Sequence, residues 1–77
     1  MGIIQEEFGE QVRNLRKKRG WTQEELAEAA GRHWTYIGGI ERGERNVTLQ
    51  VVSDLAHALG VDIEELFTGI GRKRKKR

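Results

Sequence analysis

Gln23-Glu24-Glu25-Leu26-Ala27-Glu28-Ala29-Ala30-Gly31-Arg32-His33-Trp34-Thr35-Tyr36-Ile37-Gly38-Gly39-Ile40, with Glu41-Arg42-Gly43 directly behind it, is the stretch on which the fold turns. Thr22-Gln23-Glu24-Glu25 reads as a capping box, in which the Thr22 hydroxyl and the Glu25 carboxylate each satisfy a free backbone amide at a helix start. Trp21 just before it is placed to staple against Leu26. Leu26, Ala27 and Ala30 make an inner face, and Gly31 is the expected stop. A second helix follows almost at once, over 34–42, with Ile37 and Ile40 as its buried pair and Tyr36 beside them. Two short helices joined by so tight a turn must cross steeply. Ala27 is small enough to let the next helix come close.

The pattern extends in both directions. Upstream, Ile4, Phe8, Val12 and Leu15 recur at helical spacing and predict a helix over 4–19. Its acidic residues come early and Arg16 to Arg19 come late, which complements the helix dipole, and Gly20 is the expected left-handed stop. Downstream, 43–47 reads as a loop. Thr48 then caps a helix to Leu59 whose stripe is Leu49, Val52, Leu55, Ala56 and Leu59. Asp62-Ile63-Glu64-Glu65 repeats the capping logic and predicts a fifth helix carrying Leu66 and Phe67. There is no internal repeat and no strand-like alternation. The expected architecture is all-α, a five-helix domain over 1–70, followed by a basic tail, 71–77, expected to be disordered. The expected core is Phe8, Val12, Leu15, Leu26, Ala27, Ile37, Ile40, Leu49, Val52, Leu55, Leu59, Val61 and Leu66.

Seventy-seven residues allow one small domain. The absence of cysteine excludes disulfides and thiolate metal sites and suits a reducing, cytoplasmic setting. The lack of proline fits a helical chain. No apolar run approaches the roughly 20 residues that cross a bilayer, and the start of the chain lacks the pattern of a secretion signal. Met1-Gly2 invites myristoylation, but Glu6 stands where that signal needs Ser or Thr. The net charge of +2 hides an asymmetry, because six of the 14 basic residues occupy Arg72 to Arg77. The remainder holds 8 basic and 12 acidic residues, so any anionic partner must meet positive charge gathered on one face. The basic residues before the tail do cluster, at Arg13 to Arg19 and then Arg32, Arg42 and Arg45.

A pair of helices crossing in this way is a helix-turn-helix unit, whose second helix can enter the DNA major groove. The chain resembles the Cro- and repressor-type helix-turn-helix family, also called XRE, over roughly 8–67. The resemblance rests on Thr22-Gln23-Glu24-Glu25-Leu26-Ala27, on Tyr36-Ile37-Gly38-Gly39-Ile40-Glu41-Arg42-Gly43-Glu44-Arg45-Asn46 and on Ala58-Leu59-Gly60-Val61. Within that family the size and the run from Thr35 to Asn46 are similar to the controller proteins of restriction-modification systems. That resemblance implies a homodimer on operator DNA.

It also implies roles. Gln23 would bond a phosphate at a helix N-terminus. His33, Trp34 and Thr35 lie at the start of the recognition helix, with Trp34 and Thr35 where relatives contact bases. Tyr36 would touch a phosphate or sugar, and Arg42, Arg45 and Asn46 would grip the backbone. Gly38 and Gly39 fall where relatives carry polar side chains. Two internal glycines cost about 1 kcal/mol each against alanine, so close approach of the Gly39 segment to DNA or to another helix is expected in return. Arg16 and Glu41 match a structural ion pair bridging the first and third helices. Three positions depart from the family pattern. Arg32 replaces an apolar residue and is expected to snorkel, and His33 replaces a Ser or Thr cap. Trp34 replaces Arg or Gln, which removes a bidentate base contact. Plain readings stand beside these: Trp34 as a surface aromatic for a protein contact, Thr35 as a cap, Arg42 and Arg45 as solvated charges.

The apolar residues Val61, Ile63, Leu66 and Phe67, with Ile70, exceed what a terminal helix can hide and mark a dimer face. The expected partners are a double-stranded DNA operator and a second copy of the chain; no membrane, small-molecule ligand, cofactor or metal is expected. His33 and His57 have no second ligand at metal spacing. No catalytic set stands out, so an enzyme is not expected. The tail reads equally as a DNA-binding arm or as a solubility or leftover segment. The alternative function is an antitoxin or other protein-interaction module on the same fold.

Overall fold

Phe8, Val12 and Leu15 lie along one side of the first helix, α1 (Ile3–Lys18), and all three are buried, while Ile4 at the head of that stripe stays half exposed. The computed structural model describes residues 3–70, so the basic tail at 71–77 lies outside the described residues. After α1 come α2 (Gln23–Ala30), α3 (Trp34–Glu41) and α4 (Leu49–Leu59).

The helix ends follow local chemistry. Thr22 Oγ1 accepts from the Glu25 amide at 3.1 Å while Glu25 Oε1 accepts from the Thr22 amide at 2.8 Å, closing the capping box on α2. Thr48 Oγ1 caps α4 by accepting from the Val51 amide at 3.2 Å. Gly31 and Gly60 end α2 and α4 in the left-handed region, each with φ 70°.

The fifth predicted helix is instead a short 3₁₀ helix, Ile63–Phe67, so the described residues hold four α-helices rather than five. Asp62 makes no side-chain cap bond. Between Gly60 and Gly69, both at positive φ, the tighter i→i−3 bonds form, as from the Glu65 amide to the Asp62 carbonyl at 2.9 Å.

One apolar core gathers all five elements. Leu26, Ile37, Ile40, Leu55, Leu66 and Val12 are its fully buried side chains. One expected member fails. Leu49 is 88% exposed, because it is the first residue of α4 with no element above it, and Val51 takes its place in the buried stripe. Val61 is only half-buried. Gly9 sits at a close helix crossing. A Cβ there would stand 2.1 Å from the Ile40 carbonyl oxygen, so α1 and α3 touch backbone to backbone.

Candidate nucleic-acid interface

α3 has an inner and an outer face. Ile37 and Ile40 are sealed in the core, and Glu41 is buried beside them. Thr35, Gly38, Gly39 and Arg42 recur at i, i+3, i+4 and i+7 and so share the opposite side. Trp34, 49% exposed, stands with Thr35 at the free N-terminal end. His33 caps that end: its Nδ1 accepts from the Thr35 amide at 3.2 Å and lies 2.8 Å from the Thr35 hydroxyl. Its ring stacks on Trp34 with centroids 6.1 Å apart.

The inner face is fixed by a buried polar cluster. Arg16 Nε donates to Glu41 Oε2 at 2.7 Å and Nη2 to Oε1 at 3.0 Å. Arg16 Nη1 donates to the Trp21 carbonyl at 2.8 Å, and Gln23 Nε2 donates to Glu41 Oε1 at 3.0 Å. The Glu41 hydrogen bond holds the Arg16 pKa above its ordinary value, against the opposing pull of burial. This cluster ties α1, the turn before α2, α2 itself and the end of α3 into one frame. Gln23 thus uses one of its side-chain amide hydrogens inside the protein.

Long side chains, one of them from α2, cover the two glycines of α3. A Cβ on Gly38 would stand 3.1 Å from Arg42 Nη1 and 3.4 Å from Gln23 Oε1, and one on Gly39 would stand 3.1 Å from Arg45 Nε. Arg45 also lies over the half-buried Tyr36 ring, its guanidinium carbon 5.1 Å from the centroid. Both arginines are therefore laid back across the outer face of α3. Arg42 Nε and Nη2 donate to the two carboxylate oxygens of Glu44 at 3.0 and 3.2 Å. That contact raises the Arg42 pKa and lowers that of Glu44. Asn46 accepts from Gln5 through its side-chain oxygen and is exposed beside Arg45. Arg32 donates to Asp54, tying the α2–α3 turn to α4, so its head finds an anion rather than open solvent.

The helix-turn-helix family pattern matches residues 12–66, which takes in every element from within α1 to the 3₁₀ helix. The chain belongs to the XRE-type helix-turn-helix family. The control protein C.SmaI of Serratia marcescens is 45% identical over 73 residues, spanning 95% of this chain and 87% of its own. The restriction-modification controller protein C.AhdI of Aeromonas hydrophila superposes with a TM-score of 0.81 at 44% identity, over 82% of this chain and 96% of that one. The controller C.Esp1396I, solved as a tetramer with its natural 35 base-pair operator, matches with a TM-score of 0.82 at 28% identity, over 91% and 92% of the two chains.

As in other helix-turn-helix proteins, α2 and α3 form the unit and α3 is its second helix. The structure brings His33, Trp34, Thr35, Tyr36, Arg42 and Arg45 onto one surface, with Gly39 buried beneath Arg45, Gln23 at its edge and Asn46 in the adjoining loop. Of the residues expected at a dimer face, Ile63 and Phe67 are exposed and Val61 is half-buried. Leu66 is fully buried in this chain's own core, because the 3₁₀ helix turns it inward against α1 and α4, so it offers a partner nothing. Sequence reasoning missed Leu49. It lines a shallow apolar groove with Ile4, Val47 and Phe67, the last of which packs on Phe8 at 5.3 Å between centroids. The signal was the crowding of Leu49, Val51 and Val52, more apolar residues than one helix face can bury. No helix among the described residues is long and apolar enough to cross a membrane, and none of their His, Asp and Glu residues group as a metal site.

Proposed function

We propose that this chain is a sequence-specific double-stranded DNA-binding transcriptional regulator, a homodimer that reads an inverted-repeat operator through the major groove, and the controller protein of a restriction-modification system acting in the cytoplasm. The observation that carries this reading is the division of α3: Ile37 and Ile40 anchor it from behind, while Trp34 and Thr35 are exposed and Arg42 and Arg45 lie across its front. The likeness to C.SmaI over nearly the whole of both chains supports the controller role.

The mechanism follows from the residue chemistry. The Thr35 hydroxyl can donate or accept at a base edge, and the Trp34 ring fits a thymine methyl while its indole N–H can only donate. Gly38 and Gly39 bring no side chain of their own, so the overlying Arg42 and Arg45 are what the middle of α3 presents to the duplex. Arg42, Arg45, Tyr36, Asn46 and the α2 N-terminus at Gln23 meet phosphates, which position the helix without reading sequence. One short helix reads only a few base pairs. A two-fold dimer sets two such helices about 34 Å apart, one turn of B-DNA. Leu49, Ile63, Phe67 and Val61 form the face by which the copies meet. Control by protein concentration is the simplest scheme for a domain of this size.

Selection of bound sites from a random duplex pool tests the proposal, followed by anisotropy titration of the winning site across salt concentrations. An inverted repeat with steeply salt-dependent affinity is expected. Equal affinity for palindromic and random duplexes, or affinity flat with salt, would overturn the reading.

A further inference from the structure

Arg42 sits at the C-terminal end of α3, on the same face as Thr35, with Nη1 held over Gly38. Its other edge, Nε and Nη2, is fully engaged by Glu44. A guanidinium edge takes two oxygens of a carboxylate or two of a phosphate in the same parallel arrangement. It cannot hold both at once. The pair lies at the surface, its side chains 60% and 56% exposed, but the Glu44 backbone is fixed in place. Its backbone amide donates to the Gly39 carbonyl at 2.9 Å, and Gly43, at φ +78° against Glu6, turns the chain so that this bond can close. Arg45, on the other side, adds a second cation near the same carboxylate.

We propose that Glu44 is a built-in competitor for the phosphate that Arg42 grips, so that this one carboxylate sets how tightly the protein holds any duplex. The inference rests on the proposed DNA-binding function and deepens it. Binding becomes an exchange in which Arg42 leaves a carboxylate for a phosphate, and the carboxylate is left facing the DNA backbone. The front of α3 then carries one positive charge fewer than its arginines suggest, and the loss falls on specific and non-specific duplexes alike. A regulator timed by its own concentration gains from such a brake, since residual occupancy of random DNA is kept low.

The test compares the wild type with E44Q, R42Q and the double variant by fluorescence anisotropy, on a selected inverted repeat and on a random duplex, over a range of salt. E44Q is expected to tighten binding to both by about threefold per protomer, and to steepen the log–log salt slope by about 0.9 per protomer. In the R42Q background the gain from E44Q should largely vanish. An E44Q protein that binds no more tightly overturns the inference, and so does an equal gain in both backgrounds, which would assign the effect to net charge alone. A wild type that binds no duplex in a salt-dependent way sinks the proposed function itself, a separate failure.

Discussion

Replacing Gly9 with alanine is predicted to destabilise this protein, although glycine to alanine inside a helix ordinarily stabilises by about 0.5–1 kcal/mol. The reason is the crossing of α1 and α3. An added Cβ would lie 2.1 Å from the Ile40 carbonyl oxygen, 2.8 Å from that of Glu41 and 2.9 Å from the Glu41 carbonyl carbon. These are backbone atoms and cannot rotate aside. The helices would have to part by around an ångström to reach the 3.0 Å that real Cβ atoms keep. Overpacking of that kind costs about 1–3 kcal/mol. The cost rises further here because α3 cannot move without stretching the Arg16–Glu41 fork. Set against the helix-propensity gain, the net loss is about 1–2 kcal/mol, a fall in Tm of about 5–15 °C for a domain this small. Gly38→Ala is the matched control. Its Cβ meets only the flexible ends of Arg42 and Gln23, so its Tm should rise by about 4–8 °C. Thermal unfolding followed by circular dichroism reads both. A Gly9→Ala protein that melts at or above the wild type, or a Gly38→Ala protein that loses as much as Gly9→Ala, would refute the reasoning.

Three further outcomes follow from the same contacts. Arg16→Met leaves the buried Glu41 carboxylate without its main partner and should cost about 3–5 kcal/mol in urea unfolding, whereas Arg16→Met with Glu41→Leu should recover most of that loss. His33→Ala should lower stability by about 1 kcal/mol through loss of the α3 cap, while His33→Ser, which can still accept from the Thr35 amide, should match the wild type. Leu49→Glu should leave the fold and Tm of the single chain intact but shift sedimentation toward monomer, since the side chain contributes nothing to the core; dimers persisting undiminished would remove Leu49 from the proposed interface.

Much of the fold was legible because its signals are local. The capping box at Thr22 and Glu25, the Thr48 cap and the glycine stops at Gly31 and Gly60 involve residues at most a few positions apart, and each formed as its spacing predicts. The inner pair Ile37 and Ile40 followed from periodicity alone. The misses share another cause. Leu49 has the right residue type for the core but opens its helix where nothing packs over it. Asp62 to Phe67 carries an α-helical pattern, but Asp62 closes no side-chain cap and the segment winds as a 3₁₀ helix. Leu66 satisfies two readings, core and interface, and only the direction of the 3₁₀ helix chooses between them. For the proposed DNA-facing surface, the residue types and their order were readable. Which guanidinium lies on Tyr36 and which is engaged by Glu44 was not.

From the order of residues alone came an all-helical chain, the places where its helices begin and end, and the pair of helices whose second member faces outward, because capping, glycine stops and helical periodicity act over a few residues. Only the folded molecule decided that Gly9 lets α1 rest on the α3 backbone, that Arg42 and Arg45 lie back over two glycines, and that Leu49 rather than Leu66 is left at the surface. Those outcomes depend on which atoms from distant parts of the chain meet in space, and the spacing of residues carries no record of such meetings.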